Sequence, residues 1–441
     1  MIFPETSEIG QGKAQAASAN ASQQPLNQAP PAYGATYYSG AAGLPVIREV
    51  RPVRNAFSSL FSWSRGEWTA DPTDYPIPKD VQLSHCVPEE DGWTNIHDNQ
   101  SQFLPYTAEA HFDLPLNSES LYFVERGDLS GGTATIKVDD KLEEDHIHVK
   151  VAVNYQLEKV RDWAKVCEVT RNGNTNGVGI FTPRFHSKRP WNARLSFDIT
   201  ISLPSSAAEH VIKKFTTEFP NTSHHIEKLP NFSFDEISLL GTNGGITADA
   251  LSSTKGTIIT TNGRISGVFN TTDSLTLTST NGKIDVAVGA AASTSPKTQV
   301  VLGSTNGHIQ AALSLTSDNG EAGRFDVVTS TSNSALDVEF VAQPVGSVLS
   351  YKGSTTNARA RLSLNPAFEG QFYAHTTNAK ADAVFDHSVS DPSGKGRRRE
   401  VSVSHVSKNR DVYGSAYWSP DHNVKGDVIF TSTNGRVKIE L

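Results

Sequence analysis

The chain has 441 residues, enough for two or three average domains or for one elongated domain. Its hydrophobic share of 37% is low for a compact globule. Its net charge of −8 is mildly negative, which excludes a strongly cationic nucleic-acid binder. Two cysteines, Cys86 and Cys167, exclude a disulfide-rich secreted scaffold and a cysteine-based zinc module. No apolar run approaches the roughly 18 residues of a membrane span. The N-terminus lacks a classical secretory signal.

Residues 1–54 are rich in Ala, Gln, Asn, Ser, Pro and Gly and contain few large apolar side chains. Such a segment buries too little surface to offset the entropy of ordering, so we predict a disordered low-complexity tail. Within it, Pro30, Pro31 and Tyr33 belong to a PPAY sequence. This is the ligand pattern of WW domains, because adjacent prolines favour the polyproline II conformation. It predicts a protein partner such as a WW-domain ubiquitin ligase or adaptor.

Residues 55–110 contain several aromatic side chains among prolines and acids. We interpret this segment as a linker or cap that docks on the folded body, with a membrane-surface anchor as the alternative. From residue 111 the sequence alternates apolar and polar residues with a period of two, so residues 111–230 are predicted to form the first β layers. The clearest helical candidate is the stretch from Ser205 to Thr216.

Residues 231–441 repeat a Thr-Asn-Gly-like element at intervals of 19 to 31 residues. Repeats of this length are typical of solenoid folds, in which equivalent residues of successive coils stack on one another. We therefore place the asparagine of each repeat at a corner of a coil. The corner residues are Asn243, Asn262, Asn281, Asn306, Asn333, Asn357, Asn378, Asn409 and Asn434.

The residues around each corner alternate in polarity. The third, fifth and seventh positions after the asparagine are apolar, apart from Gly267 and Gly414, and the residues between them are largely polar. This pattern indicates a strand with one buried face. Apolar residues four and six positions before several asparagines indicate a second strand that leads into the corner.

Two geometries fit this pattern, a series of hairpins with Asn-Gly type I′ turns or a β-solenoid. The residue after the asparagine varies to Ser334, Ala358, Ala379 and Arg410, which rarely adopt the positive φ of a type I′ turn. Stacked corners also let asparagine amides and hydroxyl groups form ladders between coils. These observations favour an all-β fold built as a β-solenoid, similar to a parallel β-helix.

The segments STNGKIDVAV, STNGHIQAAL and STNGRVKIEL, together with NPAFEGQFYAHTTNAKADAVF, carry a resemblance to a known family. They resemble the adhesin-like domain of unknown function, in particular its fungal branch. The resemblance covers roughly residues 111–441. It implies a β-solenoid-like fold and provides no catalytic residues to transfer, and the name adhesin is a weak basis for function.

Candidate chemistry is sparse in the sequence. The outward positions after the repeated asparagines do not converge on an acid pair, so we predict no catalytic residue, no metal site and no cofactor. A basic loop follows Asp391 and is a candidate for phosphate binding or for nuclear import, against a simple exposed turn. Its residues are Lys395, Arg397, Arg398 and Arg399.

The sequence therefore predicts a non-catalytic protein with an extended binding or scaffolding surface in the cytoplasm. The alternatives are an adhesin-like cell-surface protein exported by a non-classical route and a β-helix enzyme that acts on polysaccharide. The final strand, Val437 to Leu441, ends the chain, which predicts an open solenoid end and self-association through it. Capping of an end by the aromatic segment 55–110 is the alternative.

Overall fold

A computed structural model describes residues 72–88, 92–96, 103–142, 145–171, 174–186, 189–205, 208–292, 297–317, 323–418 and 426–441. The chain divides into two compact units, residues 1–67 and 68–441, and all described residues belong to the second. The predicted tail and its PPAY sequence lie outside the described residues, as do residues 55–71, 89–91 and 97–102 of segment 55–110. No helix in the described part is long and apolar enough to cross a membrane.

The described residues form 27 strands and one helix of four residues, α1 (Glu158–Arg161), which confirms the predicted all-β class. The strands are β1 (Val81–Val87), β2 (Thr94–Ile96), β3 (Tyr106–Pro115), β4 (Ser120–Arg126), β5 (Gly132–Asp139), β6 (His146–Tyr155), β7 (Lys165–Arg171), β8 (Thr175–Phe181), β9 (Leu195–Pro204), β10 (His210–Phe219), β11 (Thr222–Ile226), β12 (Phe232–Gly241), β13 (Ile246–Thr260), β14 (Ile265–Ser279), β15 (Ile284–Ala292), β16 (Thr298–Ser304), β17 (Ile309–Ser317), β18 (Arg324–Ser330), β19 (Leu336–Ala342), β20 (Val348–Thr355), β21 (Ala360–Ser363), β22 (Gly370–Thr376), β23 (Ala381–Val384), β24 (Arg399–Val406), β25 (Asp411–Trp418), β26 (Gly426–Ser432) and β27 (Val437–Glu440).

The strands stack as a solenoid in which each coil contributes one strand before and one strand after its asparagine corner. Parallel pairing joins the strands before the corners into an entry sheet, in the order β4, β10, β12, the second halves of β13 and β14, β16, β18, β20, β26 and β22. The strands after the corners form an exit sheet, in the order β5, β11, the first halves of β13 and β14, β15, β17, β19, β21, β27 and β23.

The apolar core lies between the two sheets. Along each strand the buried residues alternate with exposed ones, so one face of each sheet is removed from water. Phe340 on the exit sheet meets Tyr351 on the entry sheet edge to face, with ring centroids 5.4 Å apart. The buried hydroxyl of Tyr351 lies 2.6 Å from Thr329 Oγ1, so this polar group is hydrogen-bonded inside the core.

Antiparallel strands finish both ends of the solenoid. At the N-terminal end, β8, β7 and β1 extend the entry sheet, and β9, β6, β3 and β2 extend the exit sheet. The described part of segment 55–110 thus supplies two edge strands, β1 and β2. At the other end, β25 and β24 extend the entry sheet beyond β22.

The C-terminal strand does not form an open end, which corrects the prediction of self-association there. β27 lies between β21 and β23 and pairs in parallel with both. The last coil of the chain is therefore inserted before the coil of Asn378 in the stack. Because both backbone edges of β27 are hydrogen-bonded, this strand offers no free edge to a second chain.

The predicted helix from Ser205 to Thr216 is also wrong, because this region enters strand β10. Ile212, Phe215 and Phe219 are buried there, and Lys213 and Lys214 are both exposed. Phe215 follows Ile212 by three residues and Phe219 follows Phe215 by four. This spacing resembles that of apolar residues on one face of a helix. The parallel partners β4 and β12 on either side supply the backbone hydrogen bonds that override this local pattern.

The asparagine side chains form one continuous ladder through the corners. Each amide nitrogen donates to the amide oxygen of the neighbouring coil, at distances of 2.6 to 2.7 Å. In spatial order the ladder contains Asn221, Asn243, Asn262, Asn281, Asn306, Asn333, Asn357, Asn434 and Asn378. Asn221 extends it at one end by donating to the backbone carbonyl of Ser130.

A hydroxyl group two residues before the asparagine closes most of the corners, whereas Gly241 holds this position before Asn243. Ser279 Oγ donates to the carbonyl of Gly263 in the neighbouring coil at 3.0 Å and accepts the N–H of Gly282 at 2.9 Å. A Cβ atom at Gly282 would lie 1.8 Å from the same carbonyl oxygen, so this position requires glycine for close approach. Hydroxyls in the equivalent position donate to a neighbouring coil from Thr260, Thr331, Thr355, Thr376 and Ser432.

Asn409 does not join the ladder, unlike the other eight predicted corners. It lies in the turn between the antiparallel strands β24 and β25, with a φ of 63°. Its carbonyl oxygen accepts the N–H of Ala381 at 2.8 Å. The turn thus covers the last corner of the stack instead of forming another coil.

We expect Asn281→Ala to lower the free energy of unfolding by about 1–3 kcal/mol, because it removes two ladder hydrogen bonds in the middle of the stack. Chemical denaturation of the full chain measures the change. The matched control is Thr280→Ala, a change in an exposed side chain of the same corner. Equal stability of the two variants would show that the ladder contributes nothing.

Two buried titratable groups give the fold opposing pH dependences. Glu125 is buried and accepts hydrogen bonds from the N–H of Gly131 and the hydroxyl of Thr222, and burial raises its pKa to about 7. Its contribution to stability falls as pH rises from about 4.5 to 7, because the unfolded state ionises first. Burial lowers the pKa of His224 to about 4, so its contribution falls as pH drops from 6.5 to 4.

We expect the stability advantage of the wild type over Glu125→Gln to shrink by about 3 kcal/mol between pH 4.5 and pH 7. His224→Gln should show the opposite difference, with the wild type gaining on the variant as pH rises from 4 to 6.5. Urea unfolding at intervals of half a pH unit measures both differences. A constant difference across these windows contradicts the assignment for that residue.

Candidate binding groove

The outer face of the exit sheet carries an open groove of about 950 Å³ that crosses β14, β15, β17, β19 and β21. The parallel register aligns equivalent residues of successive coils in rows across these strands. The middle row consists of Ser266, Asp285, Gln310, Asp337 and Arg361. Neighbouring members of a row repeat at the strand spacing of about 4.8 Å.

Small side chains make the depression itself. The second row lies two residues further along each strand and includes Ala287, Ala312 and Ser363, which stand between the bulkier Val268, Glu339 and Glu440. A third row, two residues before the middle row, supplies basic side chains at the rim nearest the corners. Its members in the groove are Arg264, His308 and Arg359.

The charges of the groove form ion pairs both within a coil and across neighbouring coils. Asp285 accepts from Arg264 Nη2 at 2.6 Å and from Lys283 Nζ at 3.0 Å. Asp337 lies 2.9 Å from His308 Nε2 and 3.3 Å from Arg359 Nη2. Each acid therefore sits between two cationic or protonatable side chains, which fixes the orientation of both partners.

A third acid, Glu440, closes the far end of this network. It accepts from Arg361 at 2.9 Å and from Lys438 at 2.7 Å. The hydrogen bond from Lys438 and the charge of Arg361 lower the pKa of Glu440, and Lys283 with Arg264 lowers the pKa of Asp285 in the same way. Both carboxylates are therefore ionised at neutral pH and act as hydrogen-bond acceptors.

The structure places the predicted asparagine corners at the edge of this sheet and leaves the basic loop elsewhere. Lys395 and Arg398 are exposed, whereas Arg397 binds Asp391 and Arg399 begins β24. Arg397, Arg398 and Arg399 line one cavity at the C-terminal end of the solenoid, and Lys395 does not. Pro30, Pro31 and Tyr33 lie outside the described residues.

From the sequence, the outward positions of the repeat predicted no acid pair and no catalytic site. The groove depends on which side chains are adjacent across coils, and the coil lengths vary from one repeat to the next. The signal was present in the alternation of cationic and acidic residues after the asparagines, as in Lys283 and Asp285. Asn221 was missed because it follows Pro220 and precedes Thr222, without the Thr-Asn-Gly pattern.

No protein-family model and no curated protein matches the chain. Among solved structures, it is similar to a proposed cell adhesion protein of Clostridium sporogenes, with 11% identity, coverage of 76% of this chain and 99% of the other, and a TM-score of 0.17. A proposed adhesin of Bacteroides fragilis has 10% identity, coverage of 78% and 99%, and a TM-score of 0.26. A proposed adhesin of Parabacteroides merdae has 7% identity, coverage of 61% and 92%, and a TM-score of 0.20.

Proposed function

We propose that this protein is a non-catalytic, adhesin-like binding protein that holds a polar ligand in the groove of the exit sheet. The observation that carries the proposal is the ion-paired lattice of Asp285, Asp337 and Glu440 with their cationic partners. Fixed donors and acceptors that repeat at the strand spacing suit an extended ligand rich in hydroxyl groups. An oligosaccharide chain has this chemistry.

The electrostatics of the groove support binding over hydrolysis. A glycoside hydrolase needs one carboxyl group whose pKa is raised, so that it is a proton donor at neutral pH. Cationic neighbours instead lower the pKa of the Asp285 and Glu440 carboxyl groups. The polysaccharide-acting enzyme therefore remains the less favoured alternative.

The disulfide supports a cell-surface location for this function. Cys86 on β1 and Cys167 on β7 are bonded across neighbouring strands at the N-terminal end of the entry sheet. Disulfides persist in oxidising compartments and are rare in the cytoplasm. This observation favours the adhesin-like alternative over the cytoplasmic scaffold, for which recruitment through PPAY stays a separate prediction.

Groove filling tests the binding proposal directly. We expect Ala312→Trp to reduce binding of the full chain to immobilised oligosaccharides by at least about tenfold, because the indole would occupy the floor of the groove. A glycan array of neutral and acidic oligosaccharides supplies the probe. The matched control is Val301→Trp, on an exposed position of the entry sheet.

The control variant should bind as the wild type does. The proposal is wrong if the wild type binds no oligosaccharide on the array, or if both tryptophan variants bind equally well. Circular dichroism and thermal unfolding of the two variants establish that each keeps the β-solenoid fold.

Protease treatment of intact host cells tests the location. With a tag at the C-terminus of the full chain, we expect the tag to be removed from the cell surface under non-reducing conditions. A cytoplasmic protein with a known location serves as the protected control. If the tag is equally protected, the cell-surface role is excluded and the cytoplasmic scaffold is favoured.

A further inference from the structure

A second cavity lies at the C-terminal end of the solenoid, where the antiparallel strands β24 and β25 extend the entry sheet. Its volume is about 670 Å³. The segment that follows β23 supplies one wall, and the start of β24 with the end of β25 supplies the other. The lining residues with polar or aromatic groups include Asp386, His387, Arg398, Arg399, Tyr417 and Trp418.

Trp418 forms a fixed platform beside this cavity. Its ring N–H donates to the carbonyl of Pro366 at 2.9 Å, and its backbone N–H donates to Glu369 Oε1 at 3.0 Å. The guanidinium carbon atoms of Arg397 and Arg399 each lie 5.7 Å from the indole ring. Two arginines of one loop therefore contact the same aromatic side chain.

The two arginines differ in how their charge is balanced. The Arg397 guanidinium donates to Asp391 at 2.9 to 3.2 Å through two nitrogens and to Ser393 at 3.1 Å. Its backbone N–H also donates to Asp391, so both the backbone and the side chain of Arg397 hold the loop together. Arg397 is consequently a structural residue, and its charge is already neutralised.

Arg399 is the exception in this cluster. All three of its guanidinium nitrogens are buried, and none has a hydrogen-bond partner among the residues that the structure describes. It faces Trp418 directly in the antiparallel register of β24 and β25. A buried cation without a hydrogen-bonded partner is costly, because the contact with one ring face does not replace its hydration.

The acids near Arg399 do not satisfy it. Asp386 interacts with Arg399 electrostatically, but its Oδ1 accepts the N–H of Ser388 at 2.8 Å and the hydroxyl of Ser388 at 2.7 Å. Glu400 is exposed and also lines the cavity, but it makes no hydrogen bond with the Arg399 guanidinium. The cavity thus holds an unsatisfied guanidinium beside a space that a small ligand can occupy.

We propose that this cavity binds a ligand carrying a sulfate, phosphate or carboxylate group, and that Arg399 is the residue that pairs with this anionic group. Guanidinium groups form strong, directional hydrogen bonds with all three anions. Arg398 and His387 line the approach and add positive or protonatable groups. This site is independent of the groove on the exit sheet and goes beyond the proposed function.

The test uses the full chain with inorganic sulfate, inorganic phosphate and acetate as separate probes. At constant ionic strength set by sodium chloride, we expect at least one anion to raise the melting temperature in a saturable way. Arg399→Met should lose this response or weaken the affinity by at least about tenfold, as the loss of a charged hydrogen bond implies. The matched control is Arg410→Met, a change in an exposed arginine of the turn between β24 and β25 that does not line the cavity.

The anion-free proteins supply a second readout. Because Arg399→Met removes a buried charge that lacks a hydrogen-bonded partner, we expect it to unfold at the same temperature as the wild type or higher. A large loss of stability in this variant alone would mean that the guanidinium is already satisfied, which overturns the proposal. The absence of a saturable response in the wild type, or an equal response in both variants, overturns it as well.

Sugar derivatives then identify the anionic group. Glucose 6-sulfate, glucose 6-phosphate and glucuronate carry the three anions on a similar body, so the tightest binder defines the preferred chemistry. Binding of any of the three in an Arg399-dependent way supports the site. Ala312→Trp should leave this binding unchanged, which separates the cavity from the groove.

Discussion

The hydrogen-bonded stacking of coils at the asparagine corner is the constraint on which the rest of the structure depends. Each asparagine inside the ladder both donates to and accepts from a neighbouring amide. The same residue type can therefore occupy every position of the ladder. The hydroxyl two residues earlier ties the corner to the carbonyl of the next coil, as Ser279 does. Together these contacts align the coils in register, and parallel pairing propagates that register along both sheets. The coils can therefore differ in length at the far side while their corners remain in line.

The groove follows from this register. Once the corners are aligned, the residues four and six positions after each asparagine are adjacent across coils. Their side chains therefore form two rows that run across the strands. Asp285 and Asp337 then lie beside Arg264 and Arg359 of neighbouring coils, and Ala287 and Ala312 leave room above the sheet. Surface ion pairs contribute little to stability, typically about 0–1 kcal/mol each. Their regular arrangement is more useful for orienting a ligand than for holding the coils together.

The repeated part of the fold could be predicted from the sequence because its rules are local. The apolar alternation after Asn281 indicates which face is buried, and the variation of the residue after each asparagine favours a solenoid over a series of hairpins. The same local pattern misled at Asn409, because any strand with one buried face shows it, whether the strand is parallel or antiparallel. The insertion of β27 between β21 and β23 depends on long-range pairing, and no local signal in the sequence encodes that order. The candidate groove and the Cys86–Cys167 bond are likewise products of tertiary adjacency.

The two ends of the solenoid differ from the middle because their outermost strands lack a neighbouring coil on one side. A stack of parallel coils ends in unpaired backbone. Antiparallel strands extend both sheets at the N-terminal end and the entry sheet at the other end. These strands do not obey the corner rules, so their sequences are free to carry other groups. One end contains a disulfide, and the other contains Arg399, whose guanidinium nitrogens are buried without a hydrogen-bond partner among the described residues. The repetitive coils build the scaffold, and the non-repetitive ends are where single residues such as Arg399 acquire an individual chemistry.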